Sequence, residues 1–459
     1  MNSLISDLNE MLSPSEISIE EDILKKHSKD ALGKFRAFNL DLTKFPNPDV
    51  VVFPHDTEMV SKVVSYACKN AIPVTPFGSG TGVMGAAITT HGGIVISTAN
   101  MNSYFNADFD SQIGIVGSGM ILDTFDEKLR NHGLMLGHDP WSRPIASVGG
   151  AISTNGMGYL AGKFGSMGEQ VLGLEVVLPD GEIIETKGLL KSSGPNLSNL
   201  FVGSEGSLGL ITKAKIHTPP LPEIFEIRSY EFDGFIHGFE AIKNMYDISL
   251  FPAVMDFAEE FDPIENSRRT ILHVGFMGFN EQVMAELTRT HKIVKNAGGL
   301  KLPNSIGKEF WEHRHDSAIR YKFRDTTQPQ QNTWFGDYLH VTIPVSKVID
   351  YYTFAKKTLE KQDVIIREWS LWGRPDYFSF MFSDDNITVD GEMNKFPILV
   401  DELLSIAQDM GGSMEYCHGI GLKLRHLISR ELRSTNNLLK EIKYMIDPGN
   451  NFNTDKIVH

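Results

Sequence analysis

The chain has 459 residues, 41% hydrophobic and 22% charged, with a formal net charge of −15 and two cysteines, Cys68 and Cys417. That length predicts two or three domains, each with its own core, in an ordinary soluble globular balance. The acidic charge without any basic run excludes a nucleic-acid surface; two cysteines make no disulfide framework and suit a reducing, cytoplasmic setting; and no apolar run reaches the ~18 residues of a transmembrane helix. Met1 to Glu20 lacks the apolar centre of a signal peptide, and peripheral membrane attachment stays open.

Residues 1–45 read as a polar, helical lead-in. Val50 to Phe53 is a buried strand stopped by Pro54. Asp56 or Thr57 then offers a helix N-cap. Val60, Val63, Val64, Ala67 and Cys68 recur at helical spacing, which puts Cys68 on the buried face. A short strand, Ile72 to Val74, leads into Pro76-Phe77-Gly78-Ser79-Gly80-Thr81-Gly82. Glycines here let the backbone turn sharply and approach a ligand closely. Successive N–H groups in such a turn form a concave anion site suited to a pyrophosphate. The loop has neither the lysine of a P-loop nor GxGxxG spacing, and taken alone it is equally a plain turn.

Ile94 to Ile96, Ile113 to Val116 and Leu174 to Leu178 are strands, and Asp123 to Asn131 is a helix ended by His132-Gly133. Thr218-Pro219-Pro220-Leu221-Pro222 is the best domain boundary, because stacked prolines continue neither a helix nor a central strand. Beyond it come strands at 270–279, 339–343, 364–369 and 377–382 and helices at 280–296 and 345–361, the pattern of an antiparallel sheet with helices on one face. Pro397 to Met410 reads as the final helix.

Two further segments give the first loop its meaning. Residues 137–158 carry His138-Asp139-Pro140-Trp141-Ser142-Arg143-Pro144 and then Ser147-Val148-Gly149-Gly150, and residues 203–211 carry Gly203-Ser204-Glu205-Gly206-Ser207-Leu208-Gly209. In order and spacing the three segments resemble the FAD domain of the vanillyl-alcohol oxidase / p-cresol methylhydroxylase flavoprotein family, from about Pro54 to Pro219 and again near the C-terminus. The resemblance implies an α+β protein with a two-part, PCMH-type FAD-binding domain: lead-in 1–45, FAD-binding part 46–219, cap or substrate domain 220–395, and a segment 396–459 that completes the FAD domain. It implies that Pro76, Phe77, Gly78, Ser79, Gly80, Thr81 and Gly82 hold the pyrophosphate. Trp141, Ser142, Ala146, Ser147, Gly150, Thr154, Asn155, Gly156 and Met157 would line the flavin, and Glu205, Gly206, Leu210 and Ile211 would close the adenine and ribose side. Some relatives bind flavin covalently through a histidine in the first loop. Thr81 stands in that place and no cysteine lies in 137–158, so the FAD is expected to be non-covalent.

Glu415-Tyr416-Cys417-His418-Gly419-Ile420-Gly421 resembles the Glu-His-Gly-Val/Ile-Gly segment of D-2-hydroxy-acid dehydrogenases of the glycolate oxidase type. His418 matches the histidine that removes the hydroxyl proton, and an imidazole with a pKa of about 6.5 is a usable base near neutrality. Phe310-Trp311-Glu312-His313-Arg314 resembles the segment whose arginine holds the substrate carboxylate; the competing reading is an exposed Glu312–Arg314 helix face. Arg367 is a second candidate cation, since an unpaired charge in an apolar strand is costly. Tyr377 opens a strand whose alternation puts Phe378, Phe380 and Phe382 on one face, and it matches a catalytic tyrosine of the related alkylglycerone-phosphate synthases or serves as sheet packing.

Metal-using relatives carry two histidines around a Gly-Asp-Gly-Asn turn and a glutamate before the catalytic histidine. Here the turn region reads Trp372-Gly373-Arg374-Pro375-Asp376, and Cys417 replaces the glutamate, so no catalytic metal is expected. The resemblance thus implies FAD-dependent oxidation of a small D-2-hydroxy acid by hydride transfer to flavin N5. The synthase and a phenolic-alcohol oxidase are the alternatives. The partner is a small anionic substrate; the electron acceptor stays open, and a homodimer is compatible.

Overall fold

The computed structural model describes residues 2–33, 36, 41–187, 192–322, 335–384 and 395–457. Among them are three sheets. In the first, Val50–Val52 and Val74–Phe77 both pair parallel with Ile94–Ser97. Helix Thr57–Lys69 makes the crossover that parallel strands require. Asp56 caps it by accepting the Met59 N–H at 2.8 Å. Cys68, expected on the buried face, is exposed. Val60, Val63, Val64 and Ala67 fill the buried stripe, and Cys68 follows Ala67 by about 100° of turn, just beyond its edge. The strand expected at 72–74 lies instead at Val74–Phe77, so the free loop begins at Gly78.

The second sheet is antiparallel, in the order Phe105–Asp108, Ile113–Gly117, Leu210–His217, Val171–Val177, Ile183–Glu185. Its strand Leu210–His217 is the last before the prolines at 219–222, after which Ile224–Phe232 begins the third sheet.

That seven-stranded sheet is antiparallel throughout. Helices Phe235–Asp247, Asn280–Asn296, Val348–Glu360 and Lys395–Asp409 cover one face. They bury Phe235, Leu287, Tyr351 and Leu403 against Trp369, Phe378, Phe380 and Phe382 in the largest core. The antiparallel sheet thus carries helices packed on one face, as the sequence pattern implies, and one further helix lies beyond them. Helix Asn304–His313 lies on the opposite face, where Phe310 and Trp311 pack against Phe225, Ile227 and Met277. Phe225 and Ile227 alternate with the positions, Tyr230 and Phe232, that feed the main core, so the sheet has an apolar patch on each side.

Lys395–Asp409 is not the final helix: Gly421–Leu424, Ile428–Leu432 and Thr435–Ile446 follow. The chain then returns to the first sheet, where Val74 bridges to Phe452 and donates its N–H to Asn451 O at 2.8 Å. Buried Lys443 donates to Ser207 O, Phe452 O and Asp447 Oδ2. Lys456 donates to Ile88 O at 2.7 Å, and Asn453 Nδ2 to Glu205 O at 2.6 Å. Among the described residues no helix is long and apolar enough to cross a membrane.

Candidate active site

A cavity of about 820 Å³ lies between the glycine-rich loops of the first two sheets, the third sheet and the C-terminal loop. Its volume is in the range of cofactor and substrate sites. Ser79, Gly80, Thr81 and Gly82 line it, and none of their N–H groups meets an acceptor among the described residues. Gly80 has φ +67°, which favours glycine. A Cβ on Gly78 would stand 2.6 Å from Ser147 Oγ, which accepts the Gly150 N–H and caps helix Val148–Thr154. Two glycine-rich segments therefore press together across the cavity, with free donors facing a ligand.

Of the residues expected to hold FAD, all line the cavity except Asn155. Asn155 ends its helix at φ +50°, and its Oδ1 turns away to accept the Gly168 N–H at 2.9 Å. Glu205 lines the cavity, but its carboxylate is committed elsewhere. It accepts the N–H groups of Ile420 and Gly421 and so holds the loop that carries His418. Burial pushes its pKa up to about 7 despite those bonds. His138 is buried at the wall, and its Nδ1 meets no partner among the described residues. Burial lowers its pKa to about 4, with Arg143 adding to the effect against Asp139. A neutral imidazole with an orphaned nitrogen, a bed of unpaired N–H groups and a cradle that a Cβ would fill together fit a bound dinucleotide such as FAD.

Arg314 follows the helix on the sheet's second face, and that placement brings it to the cavity. Its side chain is 12% exposed, which overturns the surface-helix alternative. Its Nε donates to Asp139 at 2.8 Å, and its guanidinium lies 3.6 Å from the Trp311 ring centroid. Asp139 also meets Arg143 and His315. Burial alone would raise the Asp139 pKa; His315 Nε2 at 3.1 Å and the charges of Arg314 and Arg143 hold it well below the carboxylate range.

His418 also lines the cavity. Its N–H and that of Cys417 donate to Glu415 Oε1, at 3.0 and 2.7 Å, which fixes the loop. Its Nε2 lies 3.7 Å from Cys417 Sγ. Burial, then the charges of Arg36 and Lys423, lower its pKa to about 3, so it stands neutral. Arg36 reaches the cavity beside it while bonded to Asp337, which also accepts from Lys423.

Two candidates lie elsewhere. Arg367 falls at a β-bulge between Ile366 and Glu368, outside the cavity lining, and donates to Ser383 Oγ at 2.8 Å. The bulge inserts an extra residue, so Glu368 takes the cavity-facing place. Tyr377 stands behind the wall, stacked on Tyr416 at 4.7 Å. Conversely, the cavity is lined by Arg36, Tyr159, Asp256, Glu260, Tyr338, His340 and Glu368, which motif reading missed. The detectable signal was alternation: Tyr338 and His340 alternate with buried Leu339 and Val341, as Asp256 does with Met255 and Phe257. Arg36 carries no such signal. Among the described residues no group of three His, Cys, Asp or Glu could hold a metal ion.

The geometry defines a flavoprotein site, a dinucleotide cradle joined to a pocket with a neutral histidine and cations. Residues 48–187 match the FAD binding domain family, and residues 241–457 match the C-terminal domain of FAD linked oxidases. The chain belongs to this family of FAD-linked oxidases, and FAD is its cofactor. It is 25% identical to a D-lactate dehydrogenase of Anaerostipes hadrus over 98% of this chain and 96% of that protein. Among solved structures, an alkyldihydroxyacetonephosphate synthase superposes with a TM-score of 0.80 at 20% identity, covering 99% of this chain and 86% of the other. p-Cresol methylhydroxylase superposes with a TM-score of 0.79 at 17% identity, covering 98% and 95%. At those identities the structures show the shared fold.

Proposed function

We propose that the protein oxidises a small D-2-hydroxy acid to the 2-oxo acid. The observation that carries this reading is the neutral His418 imidazole in a cavity that also presents Arg314 and Arg36. Similarity to the D-lactate dehydrogenase along nearly the whole chain supports it. FAD, when bound, supplies the acceptor for the hydride that leaves the hydroxyl carbon. His418 takes the hydroxyl proton, as a base must be unprotonated to do. Arg314 and Arg36 hold the carboxylate, and fixing both ends of so small a substrate sets the attack geometry. A carboxylate beside Arg36 also offsets part of the positive field that keeps His418 a weak base.

In this reading residues 46–219 and 396–459 form the FAD-binding part and 220–395 the cap, the FAD is held non-covalently, and the protein works in the cytoplasm. The test is an anaerobic panel of 2-hydroxy acids, phenolic alcohols and acylated dihydroxyacetone phosphate. A 2-oxo acid formed in step with dye reduction is expected. Exchange of an acyl group for a long-chain alcohol without net electron transfer would replace this reading with a synthase.

A further inference from the structure

The third sheet's wall of the cavity has a chemistry that hydroxy-acid oxidation does not require. Glu260 and Glu368 are directly opposite on neighbouring strands, and Asp256 lies opposite Trp372 on the same pair. All four line the cavity. Like charges facing each other across a sheet destabilise it. No lysine or arginine among the described residues bonds any of the three carboxyls; Glu368 accepts only from the Tyr338 hydroxyl and Ser370. Burial first, then Glu368 and Glu260, push the Asp256 pKa up to about 8.

A second observation points to a ligand. His340 is 1% exposed and lines the same wall; Ser379 Oγ engages its Nδ1 at 2.8 Å, while its Nε2 meets no partner among the described residues. Burial, then His418 and nearby cations, keep the ring neutral, and Nε2 is its accepting nitrogen in the tautomer whose Nδ1–H donates to Ser379 Oγ. The Trp372 and Tyr338 rings meet edge to face at 5.5 Å beside it. Carboxylates, a free acceptor nitrogen and aromatic rings together suit an organic cation.

We propose that this wall is a subsite for a primary ammonium group, so that the substrate is a 2-hydroxy acid carrying an amine at its far end. The proposal rests on the 2-hydroxy-acid reading and adds the specificity to it. An ammonium there supplies a partner for His340 Nε2 and a positive charge for the facing Glu260 and Glu368.

The holoenzyme is tested with 4-amino-2-hydroxybutanoate against 2-hydroxypentanoate, which replaces the ammonium with a methyl of similar size. The expected kcat/KM ratio is about tenfold or more in favour of the amine, as for a close charge pair. In Glu260→Gln, at an exposed position, and in Glu368→Gln, that ratio should fall about tenfold. Unreactive 4-aminobutanoate should perturb the flavin spectrum more tightly than pentanoate does, and Glu260→Gln should raise thermal stability by relieving like charges. Equal kcat/KM for the two hydroxy acids, unaltered by Glu260→Gln, overturns the subsite and leaves the hydroxy-acid reading standing. Oxidation of neither, with Glu260-dependent binding of 4-aminobutanoate, keeps the subsite and removes the hydroxy-acid reading. Zinc alone binding at this wall by calorimetry, or no binding of 4-aminobutanoate, overturns the proposal.

Discussion

The imidazoles of His340 and His418 meet edge to face with 4.6 Å between ring centroids, one from the third sheet and one from the C-terminal loop. Tyr416 N–H donates to His340 O at 3.2 Å and locks the same junction through the backbone. The position of His418 is therefore set by the sheet as well as by its own loop.

His418→Asn should keep FAD and lose turnover by roughly 10²–10⁴-fold, the usual worth of a general base. Stopped-flow reduction of the flavin under nitrogen measures it. A variant reduced as fast as the parent would remove His418 as the proton acceptor.

The flavin should come off intact when the protein is precipitated with acid, because Thr81 offers no ring nitrogen for a covalent link. Flavin remaining in the washed pellet would point to another attachment residue, with His138 first to be tested since it lines the cavity.

Gly78→Ala should weaken FAD retention, since the new methyl meets Ser147 Oγ at 2.6 Å and must displace that hydroxyl from its cap on Gly150 N–H or shift the loop. The 450 to 280 nm absorbance ratio after gel filtration reports the loss, and far-UV circular dichroism should stay unchanged. Full flavin content in the variant would show that these loops are not the cradle.

Asp256 gives a pH signature. Its folded pKa, about 8, is raised above the 3.8 of an ordinary aspartate. Its contribution is therefore fully present below about pH 4 and is lost as pH rises toward 8. Asp256→Asn imitates the protonated form, so its melting temperature relative to the parent should climb across pH 4–8. The slope is at most about 1.4 kcal/mol per pH unit, reduced by water at the cavity wall. A constant difference across that range would contradict the assignment.

Activity should survive EDTA and need no added divalent ion. His313, His315 and Asp376 are apart in function: His313 pairs with Asp316 at the surface, His315 with buried Asp139, and Asp376 with Arg374. Loss of activity on chelation, with rescue by one metal, would reopen the question of a metal site.

Glycines and tight turns made the cradle legible in the sequence, because backbone that must approach a phosphate leaves a compositional trace. Strand 377–382 was legible for a similar reason: its three phenylalanines occupy alternate positions. What stayed hidden depends on tertiary placement. Arg367 and Glu368 are neighbours, and only the bulge decides which one faces the cavity. Cys68 missed the buried stripe by one step of the helix. Arg36, some 300 positions from Asp337, could be placed only by the folded chain.

The return of the chain to the first sheet fixes an order of events during synthesis. Asn453 bonds Ala86 O and Glu205 O, and Lys456 bonds Ile88 O, so the floor of the flavin loop is finished by residues that follow the entire third sheet. While the ribosome is still making the third sheet, the cradle lacks that floor. Flavin retention is therefore expected to need these late residues: a chain stopped at residue 440 should retain no flavin, however well its glycine loops have formed.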